Sequence, residues 1–131
     1  MKHPKGFTVI ELLVVITLLI VGGWLFFNEK ARINAAQRDT DRKTAINAMY
    51  YNLEEVFYMK NKYYPASIDS KTLRAMDPAL FTDPDGNKLG TNDADYRYDS
   101  TGCATDGRCT GYALRSDLER EDDFVKTNRN N

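Results

Sequence analysis

Hydrophobic side chains fill residues 7 to 27 almost without interruption, and the one charge among them is Glu11. At ~1.5 Å per residue, 21 such residues in a helix cover a ~30 Å hydrocarbon core, so this stretch predicts a membrane-spanning helix. The pattern then changes. Residues 28 to 44 contain no Pro or Gly and one large apolar side chain, Ile33, which predicts a continued helix with no strong face to bury. From there Ile46, Met49, Tyr50, Leu53, Val56 and Phe57 form the stripe of a helix packed on a core. The helix should end near Asn61, because Tyr64-Pro65 forces extended backbone.

Past Pro65, residues 67 to 76 offer capping side chains and a short helical turn, stopped at Asp77-Pro78. Asp83-Pro84-Asp85-Gly86-Asn87 is turn chemistry. Strands are expected at 95–99, 111–118 and, more weakly, 124–126, as an antiparallel meander against the long helix. The class is therefore α+β. The chain divides into a membrane helix over 7–27, its amphipathic continuation over 28–61 and a head over 62–131. A helix from 7 to 61 would extend about 80 Å, a stalk carrying a head.

An ionised acid inside hydrocarbon is expensive, so Glu11 is a functional candidate whose partner must be sought, and an amine is the natural one. Lys5-Gly6-Phe7-Thr8-Val9-Ile10-Glu11-Leu12-Leu13 resembles the prepilin-type signal of type IV pilins and their pseudopilin relatives. The resemblance implies a leader over residues 1–6, cleavage after Gly6 by a prepilin peptidase, and N-methylation of the new terminus at Phe7. It also implies that Glu11 pairs with the Phe7 amine of a neighbouring subunit in a homo-oligomeric filament with other pilins, built on an inner-membrane assembly platform. The fold implied is pilin-like. The protein would sit in the cytoplasmic membrane with its C-terminal domain outside, then pass to an extracellular filament serving adhesion, twitching motility or DNA uptake. Many pilins carry a proline where this chain has Asn28, so Gly22-Gly23 is the expected extensible point instead. Two alternatives remain open: a pseudopilin of a type II secretion system, and a monomeric membrane-anchored binding module.

Charge narrows the partners. The chain has 18 basic and 19 acidic residues; without Lys2 and Lys5 it would be mildly acidic, which argues against a dedicated nucleic-acid binder. A DNA contact would have to come from Arg97, Arg108 and Arg115 interleaved with Tyr96, Tyr98 and Tyr112, whose ordinary role is sheet packing. The single histidine, His3, lies in the leader, so the mature chain would have no histidine base and no Cys-His pair. Glu54-Glu55 and Asp122-Asp123 are expected to be solvated faces. No enzyme is expected.

Cys103 and Cys109 flank Asp106-Gly107, a favoured tight-turn pair, at the tip of the first hairpin, and outside the membrane they should oxidise to a disulfide. Two cysteines without a nearby histidine make an incomplete zinc shell. Asp83, Asp85 and Asn87 alternate like the start of a calcium loop, but Gly86 and Ala94 stand in the wrong places for an EF-hand. Similarity to a turn near the calcium site of major pseudopilins implies a calcium set drawn from Asp83, Asp85, Asn87, Asp93 and Asp95; the alternative is an acidic, solvated turn.

Overall fold

The computed structural model describes residues 6–130. The leader residues 1–5, with Lys2, His3 and Lys5, lie outside the described residues. Two compact units are present, one running to Ala35 and the other from Ala36.

In the first unit, helix α1 (Val9–Tyr51) starts one residue after Thr8 and runs through Gly22 and Gly23 without a break. As far as Ile33 its large apolar side chains, Leu12, Ile16, Leu19 and Phe26 among them, are all exposed. With Val9–Asn61 helical throughout, the described residues contain one helix long and apolar enough to cross a membrane.

The second unit is the head, and its core is built on the inner face of the same helix. Ile46, Met49 and Leu53 are fully buried there. The helix then widens into a π-helical segment (Asn52–Tyr58) before a last turn, α2 (Met59–Asn61). A π turn takes an extra residue, so the inward face arrives one position late. Phe57 and Tyr58 pack on the core, while Val56, expected on the buried stripe, is 48% exposed. Lys62 closes the helix in the left-handed region (φ 63°), donating its N–H to Tyr58 O at 2.8 Å.

Within residues 67 to 76 the expected short helical turn is a single one, Leu73 N–H donating to Asp69 O at 3.0 Å, with no helix continuing from it. Asp69 Oδ1 accepts from the N–H of Lys71 (2.9 Å) and Thr72 (2.8 Å), which caps that turn. Asp77-Pro78 starts an element instead of stopping one. The Asp77 carboxylate caps a 3₁₀ helix (Pro78–Phe81) by accepting from Ala79 N at 2.9 Å, with proline at its first position.

Two small antiparallel sheets complete the α+β, pilin-like arrangement. Strand β1 (Tyr64–Pro65) pairs with β3 (Arg108–Cys109), and β2 (Tyr96–Thr101), β4 (Gly111–Ser116) and β5 (Phe124–Thr127) form the second sheet in the order β2-β4-β5. Tyr98 faces Leu114 and Ala113 faces Thr127 across the central strand. Tyr64, Tyr96, Tyr112 and Leu114 close over the helix stripe. The connection from β2 to β4 holds the Cys103–Cys109 disulfide. Gly102 (φ 61°) is required in that connection, since a Cβ there would lie 2.0 Å from Thr110 Oγ1.

Chemical denaturation of the full chain in detergent tests the shifted face. Leu53→Ala should cost about 2–5 kcal/mol, whereas Val56→Ala should stay within about 0.5 kcal/mol. Equal losses would mean that the stripe continues in α phase.

Candidate functional site

Thr8-Val9-Ile10-Glu11 is a capping box at the start of α1. Glu11 Oε2 accepts from the Thr8 N–H at 2.9 Å and the Thr8 hydroxyl at 2.9 Å, and Thr8 Oγ1 accepts from the Glu11 N–H at 3.3 Å. These bonds satisfy one oxygen of the carboxylate. Oε1 has no partner among the described residues. Phe7, immediately before the box, is 86% exposed, so the acid and the position of the expected new terminus are both open to a neighbour.

Residues 1–26 match the family model of the prokaryotic N-terminal methylation motif. The chain carries a prepilin-type signal. Gly6, Phe7 and Glu11 all fall inside the match. No curated protein matches the chain. No solved structure matches it either.

Behind the prepilin-type helix start, the head contains two polar clasps that the sequence pattern concealed. The first surrounds Arg42, expected on a polar helix face with nothing to bury, yet only 2% exposed. Its Nη2 lies 2.7 Å from Asp85 Oδ2 and 2.7 Å from Asp95 Oδ2, and its Nη1 lies 3.1 Å from Asp39 Oδ1 and 2.7 Å from Glu119 Oε1. Asp39, 3% exposed, also accepts the backbone N–H of Glu119 (2.9 Å) and Arg120 (3.0 Å). The clasp thus fixes the helix to the 83–95 loop and to the β4–β5 connection. Burial opposes the Arg42 charge, but hydrogen bonds to Glu119 and Asp95 outweigh it and hold the guanidinium protonated more firmly than usual.

This geometry bears on the expected calcium set. The carboxylates of Asp83, Asp85 and Asp95 lie within 4.8 Å of one another. Asp83 Oδ1 accepts the N–H of Asp85 (3.0 Å) and Asn87 (2.7 Å), and its Oδ2 accepts the N–H of Asp95 (3.0 Å). Asn87 Nδ2 is turned to the backbone oxygen of Asp93 at 3.0 Å. The donors fit a calcium ion poorly in this arrangement, because Asp85 and Asp95 already share a cation, Arg42, and Asp83 is spent on the loop's own amides.

The second clasp corrects another expectation. Glu54 is not a solvated helix residue but 0% exposed. It accepts from Tyr112 OH (2.8 Å), Tyr64 OH (3.1 Å), Arg129 N (3.1 Å) and Asn130 Nδ2 (2.8 Å). Burial and then the hydrogen bond to Glu54 push the Tyr112 hydroxyl well up, and burial raises Tyr64 to about 12. Its neighbour Glu55 does face solvent, paired with Arg129.

Sheet packing also claims the aromatic residues considered for DNA. Tyr96 and Tyr112 are each 2% exposed, Tyr98 OH donates to Pro65 O at 2.7 Å, and Arg97 and Arg108 pair with Asp117 and Asp106. No buried ring there can stack on a base.

Sequence reasoning missed the role of Thr8, although a Thr three residues before a Glu is the capping-box signal, whereas Arg42 and Glu54 carry no local signal that separates them from ordinary helix surface.

Arg42→Ala should destabilise the full chain by about 3–5 kcal/mol, because it leaves buried Asp39 uncompensated, while added calcium should leave the wild-type midpoint unchanged. Thermal melts with and without a chelator check both halves. The Glu119 carboxyl is pulled from 4.5 to about 2 by its hydrogen bonds to Arg38 and then Arg42. A depressed carboxyl stabilises fully above its unfolded value, and that contribution is lost as pH falls through the folded one. The melting temperature should accordingly drop between pH about 4.5 and about 2, and Glu119→Gln should flatten that part of the curve.

Proposed function

We propose that this chain is a structural subunit of a type IV pilus-like filament, cut after Gly6, methylated at Phe7, and polymerised so that residues 7–27 of many copies form an apolar core. The observation that carries the reading is the open oxygen of Glu11 beside an exposed Phe7, within a matched methylation motif. In hydrocarbon a half-satisfied carboxylate favours any arrangement that brings it a cation. The Phe7 amine of an adjoining subunit would supply one. A subunit entering out of register would leave both charges uncompensated, so the pair selects register as well as binding.

The exposed apolar helix of the first unit supports the same reading, since every large side chain from Phe7 to Phe27 needs lipid or neighbouring helices as its solvent. The precursor would wait in the cytoplasmic membrane with its head outside. Peptidase, methyltransferase and assembly platform are separate proteins in this scheme.

A shorter secretion pseudopilus would use the same signal and the same helix. Protein recovered from sheared surface fibres distinguishes the pilus from it. An anchored monomer would need neither Glu11 nor cleavage.

Glu11→Gln, which keeps shape and removes charge, should cut fibre yield at least tenfold with the protein still present in the membrane. N-terminal sequencing of wild-type fibres should begin at methylated Phe7. Normal fibres from Glu11→Gln, or native protein retaining residues 1–6, would overturn the proposal.

A further inference from the structure

The head carries opposite charge at the two ends of its helical segment. Beside residues 38 to 43 lies the β4–β5 connection, 117–123, whose seven residues include five acids and one base. Glu119 and Glu121 of that connection are tied to the helix, Glu119 to Arg38 at 2.6 Å and Glu121 to Lys43 at 2.5 Å. Asp122 and Asp123, next in the chain, are exposed and without a salt-bridge partner among the described residues.

At the other end of the segment is a recess of about 440 Å³ between the helix and the 71–75 turn. Val56, Phe57 and Leu73 give it an apolar lining, and Lys60, Lys71 and Arg74 stand around it. All three cations are exposed, and none has a salt-bridge partner among the described residues. Arg74 Nε donates to Lys71 O at 3.1 Å, which steadies the guanidinium. Asp69 lies close enough to Lys71 to feel its charge, but its Oδ1 is occupied by the Lys71 and Thr72 N–H groups and the Thr72 hydroxyl.

We infer that the basic recess of one head receives the Asp122-Asp123 turn of the head above it, a second copy of this chain. Lys43 and Lys60 are about 25 Å apart along the helix, so acid and base cannot meet within one head. Subunits whose helices run parallel and are staggered along one axis bring the acidic end of each head onto the basic end of the next. Such a contact is heterologous, joining different surfaces on the two copies, and it repeats without closing, as a filament requires. Charge complementarity at this rim would steer docking and oppose a head approaching in reverse. The apolar floor of the recess excludes water beneath the ion pairs and strengthens them relative to open surface pairs.

The inference rests on the filament reading above, and the test separates the two. A carbodiimide, which joins amines to carboxylates only in direct contact, is applied to sheared fibres and to the purified full chain in detergent, where no bilayer holds the copies level. Peptides linking Lys60 or Lys71 to Asp122 or Asp123 are expected. The double reversal K71E/R74E should lower fibre yield at least tenfold at normal membrane level, and adding D122K/D123K to it should restore fibres. Wild-type fibre yield from K71E/R74E, failure of the combined reversal to restore fibres, or fibres lacking the cross-linked peptides would overturn the contact. If wild-type cells made no fibres the filament reading would fall, and the cross-link in detergent would then decide the contact alone.

Discussion

A charge removed from water must be met by an opposite charge or by enough donors and acceptors, and three positions on one helix answer that constraint differently. Glu54 is met by neutral donors: two tyrosine hydroxyls, a backbone amide and an asparagine amide. Arg42 is met by carboxylates from its own helix, a loop and a strand connection. Glu11 is met by half, through Thr8, and its remaining oxygen is open. The first two solutions are complete within the chain, so they hold the head together. The third is incomplete within the chain, and that is the gap the proposed filament contact would fill.

The same contrast separates the apolar residues. Ile46, Met49 and Leu53 find Tyr64, Tyr96, Tyr112 and Leu114 to pack against and vanish from the surface. Leu12, Ile16 and Leu19, no less hydrophobic, have nothing in their own unit to cover them. One helix therefore has a protein core against one end and an apolar surface left uncovered by its own unit at the other.

Period and composition were enough to read the long helix, the α+β class, the three strands of the larger sheet and the turn that brings Cys103 to Cys109, because each rests on local patterning. The two-residue strands β1 and β3 were not legible, since a pair of residues has no period. Nor was the π-helical segment, which carries no periodic signal of its own in the sequence. Arg42 and Glu54 resemble surface residues in sequence, and what buries them comes from partners 43 to 77 residues away in the one case and 10 to 76 in the other. At the candidate assembly site the identities of Gly6, Phe7 and Glu11 were plain, but the role of Thr8 emerged only once its hydroxyl and N–H were seen on one carboxylate oxygen.

The two clasps grip the same helix about 18 Å apart, at Arg42 and at Glu54, and both reach into the region after β4. Traction along the helix axis consequently loads them side by side in shear, and neither can be peeled open before the other bears force. A head attached this way resists being drawn off its shaft until the two sets of bonds rupture together.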